Sequence, residues 1–163
     1  MSQADLLDLH RETVPTDWVD YNGHMNVAYY VLVFDHATDT FLGEIGLDTA
    51  YREATGKSVF VAEAHVTYEK EIMDGDKLRI TTQVLDADSK RMHIFHRMYA
   101  NGSDEVAATN ELMILGVDLA SRRVAPMADL VAANLSALQN AHAVLPNPYQ
   151  AGRAIGIRRV EAC

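Results

Sequence analysis

Cysteine is all but missing from this 163-residue chain: the single one, Cys163, is the last residue. That excludes an intrachain disulfide and a thiolate zinc site, and a reducing cytoplasm is the expected compartment. Basic residues are few, 14 Lys and Arg against 23 Asp and Glu, for a formal charge of −9. A nucleic-acid binder normally carries a basic surplus, so that class is set aside. A phosphate-bearing small molecule is not, because a few local cations suffice to hold one. No long apolar run occurs, and the opening residues MSQADLLDLHRETV lack the cationic start and apolar stretch of a signal peptide. Neither a membrane span nor a leader is expected. Repeats and low-complexity tracts are absent as well, and a chain of this length suits one domain with one core.

The elements follow from periodicity. Residues 10–19 read as a short extended piece. Val27, Tyr30, Val31, Phe34, Thr38, Phe41 and Ile45 recur at helical spacing. With Asn26 as N-cap and Gly46 as stop, they predict a buried helix over 26–45. From residue 58 the period becomes two. Phe60, Ala62, Ala64, Val66 and Tyr68 fall on one face; Val59, Val61, Glu63, His65 and Thr67 fall on the other. A turn at 73–76 leads to strands over 77–88, 91–100 and 106–119, with another turn at 121–123. A C-terminal helix is predicted over 127–144, ended by Pro146 and Pro148. The tail 147–163, with Arg153, Arg158 and Arg159, is expected to be mobile. One long apolar helix and strands in hairpin succession predict an α+β class: an antiparallel sheet wrapped around the helix, the hotdog arrangement, with a core over about 10–125.

Ahead of the long helix stands DYNGHMN, residues 20–26. In an extended chain Asp20, Asn22 and His24 project to one side. The stretch ends at a helix N-terminus, where unpaired N–H groups and the positive dipole end favour an oxyanion. Gly23 admits close backbone approach. A carboxylate here can act as base or nucleophile. The same residues also serve as turn and cap formers, and residue types alone leave both readings open. A metal centre is not expected, since His24 has no second histidine at ligand spacing.

The run from Asp20 to Tyr29 resembles the helix-leading signature of hotdog-fold acyl-thioester thioesterases, the 4-hydroxybenzoyl-CoA thioesterase family and the plant acyl-carrier-protein thioesterases. FVAEAHVTYEKEIMDGDKL, residues 60–78, is similar to the family's first long strand and its Gly-Asp turn. The resemblance covers roughly residues 10–125. It implies that Asp20 attacks the thioester or activates water, that Asn22 and His24 orient the reacting groups, and that backbone N–H groups near Gly23 and Met25 hold the carbonyl oxygen. Glu63 is a second candidate acid, or simply a paired strand glutamate. The chain departs from the pattern at Val27, in place of an Asn, and at Trp18, in place of an Asp.

The chain further resembles the betainyl-CoA thioesterases of carnitine degradation, which cleave a trimethylammonium-acetyl thioester. On that reading Trp18, Tyr21, Asn26 and Tyr29 are candidate substrate contacts, the aromatics caging the cation. Core or subunit packing is the other use of such rings. Lys90, Arg91, Arg122 and Arg123 are candidates for the coenzyme A phosphates, or solvated turn residues. His65, His93 and His96 read as ordinary hydrogen-bonded residues; Asp35, His36 and Asp39 line a cleft or a subunit contact. No cofactor beyond the substrate's own coenzyme A is implied, and the fold implies a homodimer or homotetramer. Two rival classes stand beside this one: a hydratase or dehydratase on the same fold, and a non-catalytic acyl-CoA binding module.

Overall fold

A computed structural model of the chain describes residues 5–159; Cys163 and the end of the tail lie outside them. The elements run β1 (Leu7–Thr13), a 3-10 turn (Thr16–Trp18), α1 (Val27–Glu44), α2 (Thr49–Thr55), β2 (Lys57–Tyr68), β3 (Lys77–Ala87), β4 (Arg91–Ala100), β5 (Val106–Asp118), β6 (Arg123–Val124) and α3 (Asp129–His142). The strands form one antiparallel sheet in the order β1-β3-β4-β5-β2, with β6 added against β5. The sheet curls around α1, the α+β hotdog arrangement expected from the element order.

α1 starts where Asn26 accepts a hydrogen bond from the Ala28 N–H at 3.0 Å, and the chain leaves it at Gly46 with φ +92°. Its inward stripe is Tyr30, Val33, Phe34, Ala37, Thr38 and Phe41. Val27 and Val31, counted with that stripe in the sequence, are exposed instead. The N-terminal half of α1 packs with Ile72, Leu78, Ile80 and Met98. The C-terminal half, with Phe41 and Ile45, packs on Val84, Met92, Ile94 and Ile114, and on Val131 and Leu135 of α3. α3 therefore shares the inner face of the sheet with α1.

Three features depart from the expected pattern. α2 has only seven residues, too few for a periodic signal, and is defined by its ends. Asp48 accepts from the Tyr51 N–H at 2.9 Å, and Gly56 closes it in the left-handed region at φ +65°. β2 carries a bulge: Val61 pairs with Ile114 and Glu63 with Met113, so Ala62 is extra. The strict alternation read across the strand is thereby broken. Val59 and Val61 face inward before the bulge, and Ala64, Val66 and Tyr68 after it, opposite the inward Gly116, Ile114, Leu112, Asn110 and Ala108. Finally, the start of the tail is anchored. Gln83 Nε2 donates to the Pro146 carbonyl, Gln150 Nε2 to Glu69 at 2.6 Å, and the Gly152 N–H to Glu111 at 2.9 Å.

Candidate active site

DYNGHMN is a closed turn, not an extended piece. The Asp20 N–H donates to the His24 carbonyl at 2.9 Å, and the Gly23 N–H to the Asp20 carbonyl at 2.9 Å. The Asp20 carboxylate folds back over the turn, where Oδ1 accepts from the N–H groups of Asn22 at 2.8 Å and His24 at 3.3 Å. Gly23 supplies the positive φ of +80° that the turn requires. Asp20, Asn22 and His24 thus converge through backbone hydrogen bonds to one carboxylate rather than by strand periodicity. The turn is tied down on both sides: the Met25 N–H donates to Ile72 O at 2.7 Å, and the Asn26 N–H to Trp18 O at 3.0 Å.

These bonds correct the expected oxyanion site. The amides of Gly23 and Met25 are both already donated within the chain, so neither is available to a carbonyl oxygen in this conformation. The Val27 N–H, first of the α1 helix, has no acceptor among the described residues. Val27 borders a cleft of about 240 Å³, lined also by His24, Met25, Tyr30, Tyr68 and residues 69–71.

The aromatic walls of that cleft are Tyr30 and Tyr68, in edge contact with centroids 5.1 Å apart and planes at 88°. Tyr30 is fixed by accepting from the Ile72 N–H at 3.1 Å and donating to Lys70 O at 3.3 Å, and burial raises its phenol pKa. Two acids line the same cleft. Glu69 is held by Tyr149 Oη at 3.0 Å and by Gln150, and its contact raises the Tyr149 phenol pKa. Glu71 Oε2 lies 3.3 Å from His24 Nε2. The ammonium of Lys70, in the same lining, is paired with Glu105. The rings singled out in the sequence sit elsewhere. Trp18 and Tyr29 stack on one another at 5.0 Å with planes at 9°, partly buried against the core, and Tyr21 is 97% exposed. Tyr68 was legible only as a strand residue; the end of β2 reaching the start of α1 makes it a cleft residue.

Glu63 is not beside Asp20. The bulge turns it to the outer face of the sheet, exposed, where it borders a separate cavity of about 290 Å³ with His65, His93, Glu111 and Arg153. His93 Nε2 and Glu111 Oε1 meet in that cavity at 2.7 Å. The four basic candidates gather at the other end of the sheet. Arg91 is held by Asp88 through Nε at 2.7 Å, and Lys90 O accepts from the Gly116 N–H at 2.7 Å. Arg122 lies 5.6 Å from the Phe60 ring centroid, next to Arg123 in β6. α1, 18 residues and so about 27 Å long, separates this group from the Asp20 turn within one chain.

Around Asp20 no three metal-ligating groups converge among the described residues; the set that does converge, His10, Glu12 and His36, lies between β1 and α1. No helix among the described residues is long and apolar enough to cross a membrane.

Comparison with known proteins gives a consistent picture. Residues 14–135 match the model of the thioesterase-like superfamily. A betainyl-CoA thioesterase of Pseudomonas aeruginosa is 43% identical over 154 residues, 94% of this chain and 97% of that protein. An L-carnitine dehydrogenase/betainyl-CoA thioesterase of Ruegeria pomeroyi is 39% identical over 92% of this chain, which spans only 30% of that longer protein. Among solved structures, one from Pseudomonas putida superposes with a TM-score of 0.82 at 36% identity, covering 95% of this chain and 99% of that one. A Staphylococcus aureus protein solved in complex with CoA gives 0.86 at 29% identity, covering 96% and 100%.

Proposed function

The chain belongs to the thioesterase-like superfamily and is a thioester hydrolase; on that premise we propose that its substrate is betainyl-CoA, cleaved to betaine and coenzyme A. The observation that carries the acyl preference is the cleft at the start of α1. Two tyrosine rings and the carboxylates of Glu69 and Glu71 line it, with the one ammonium in the lining paired elsewhere. An aromatic and acidic pocket attracts a trimethylammonium group through ring quadrupole and charge. The strong identity to a betainyl-CoA thioesterase supports the same reading.

In the proposed reaction the Val27 N–H and the helix dipole polarise the thioester carbonyl. Asp20, whose Oδ1 is fixed by two backbone N–H groups, presents Oδ2 as nucleophile or as the base that takes a proton from water. His24 and Asn22 position the water or the acyl group. The C–S bond breaks, coenzyme A leaves as thiolate, and water supplies the oxygen of the product acid. Protein groups and water supply every group this step uses.

We place the working unit in a dimer. β2 is an edge strand of 12 residues with Phe60, Val61 and Tyr68 exposed, and an open edge of that kind pairs with another strand. Antiparallel pairing of two β2 edges sets the Arg122 end of one copy beside the Tyr68 end of the other. The basic group then reaches the coenzyme of the neighbouring site. The single terminal cysteine fits a cytoplasmic enzyme.

Thiol release from a panel of acyl-CoA esters tests the proposal. Betainyl-CoA should be cleaved faster than tert-butylacetyl-CoA, its neutral isostere. Tyr68→Leu should raise KM for betainyl-CoA several-fold, the cation–π share of roughly 0.5–2 kcal/mol, and leave the isostere unchanged. Asp20→Asn should lower kcat by about 10²–10⁴ on every ester. Equal turnover of the two esters would remove the cationic pocket while keeping the thioesterase. Hydration of crotonyl-CoA should be undetectable; its occurrence would favour the hydratase class.

A further inference from the structure

We propose that His10, Glu12 and His36 form a binding site for a divalent transition-metal ion that clamps the edge strand β1 to α1. His10 and Glu12 are two apart on β1, and their register partners Ile80 and Leu78 are core residues, so both side chains face α1. His36 answers from α1. His10 Nε2 lies 3.1 Å from Glu12 Oε2, and His36 Nδ1 lies 2.9 Å from the same oxygen and 3.2 Å from Oε1. All three ligand atoms fall within 4.8 Å of one another. Ligands bound at about 2.1 Å stand roughly 3 to 3.5 Å apart around a single ion.

The hydrogen-bond pattern around His10 supplies a second argument. Thr40 Oγ1 donates its only hydrogen to the His36 carbonyl at 3.0 Å. With that hydrogen so placed, the contact with His10 Nδ1 at 3.3 Å is one that an Nδ1–H donates. In a neutral imidazole this leaves the lone pair on Nε2, aimed at a carboxylate oxygen that is also a pure acceptor. Two acceptors at 3.1 Å repel unless a proton or a metal ion lies between them. A ligating histidine normally donates its other ring N–H to a second partner, which is the part Thr40 plays here. No Lys or Arg forms an ion pair with Glu12 among the described residues, and the acids Asp35 and Asp39 stand exposed on the same helix. Two imidazoles and one carboxylate suit zinc and its first-row neighbours, and the exposed side of His36 leaves room for a water as further ligand. His36 lies ten residues beyond Asn26, about 15 Å along the helix from the Asp20 turn, so the ion stands apart from the hydrolytic chemistry.

The test is equilibrium dialysis of the chelator-treated full chain against zinc, with cobalt as a spectroscopic substitute. One ion per chain is expected, with a cobalt absorption of a low-coordinate nitrogen and oxygen site. His10→Ala and His36→Ala should each weaken binding by more than about a hundredfold, and Thr40→Val by about ten- to a hundredfold. His65→Ala, on the outer face of β2, should bind as wild type. Zinc should raise the melting temperature of the wild type and not of His36→Ala. If the histidine variants fold poorly, Glu12→Gln preserves shape and hydrogen bonding; zinc affinity retained in it would overturn the site. So would a wild-type chain that takes up no zinc, or uptake that is equal in all the variants.

Discussion

His96 is fully buried under α1 and its chemistry is fixed by two threonines. Thr38 Oγ1 donates to Phe34 O at 2.8 Å, so its 3.0 Å contact with His96 Nε2 is accepted from an Nε2–H. Nδ1 then accepts from Thr82 Oγ1 at 2.9 Å. Both nitrogens are satisfied by the neutral ring, and burial pushes the pKa from 6.5 to about 3. The unfolded chain therefore binds a proton that the native chain refuses. The stabilisation is complete above about pH 6.5 and is lost progressively as pH falls toward 3, with a slope of up to ~1.4 kcal/mol per pH unit. Urea titrations should show that slope in the wild type and a shallower one in His96→Gln, which cannot titrate. An identical slope would mean that other groups dominate acid unfolding. At this scale the sequence was partly legible. The DYNGHMN set announced itself because polar residues crowd a helix start. The Val27 amide, Tyr68 and the His10, Glu12 and His36 group did not, because each depends on a contact between distant segments; His36 meets Glu12 across 24 positions.

Among the elements, the helices and strands with a strong period were readable and the irregular joints were not. α1, β3, β4 and β5 fall within a residue or two of their expected bounds, because period and turn residues agree there. α2 and the β2 bulge carry no period. β6 is likewise too short to show one, and it is held by a close backbone approach. The Gly116 N–H donates to Lys90 O, and the Ala125 N–H donates to Gly116 O at 2.9 Å. A Cβ on Gly116 would sit 2.7 Å from the Ala125 carbonyl oxygen and 3.0 Å from Met127 Cγ. Gly116→Ala should cost about 1–3 kcal/mol and lower the melting temperature by several degrees. An unchanged melting curve would show that the β6 connection yields freely. Asn26→Ala should cost about 1 kcal/mol through the lost cap, measured the same way.

For the molecule as a whole, the proposed dimer rests on the unpaired edge of β2. Light scattering should find a dimer in the wild type and a monomer in Val61→Lys, which puts a charge on that edge, with thiol release falling alongside. Full activity in a monomer would place the complete site in one chain. The bulge within that edge strand has a consequence for sequence drift. Before Ala62 the odd positions face α1, and after it the even ones do. Exchanging Ala62 for another small residue leaves both halves in phase. Removing it also keeps them in phase, because Val61 opposite Ile114 and Glu63 opposite Met113 then become successive pairs of a regular ladder; what is lost is the local bend. Related chains can therefore lack this position with both faces of the strand kept, and should then show a straighter β2 edge.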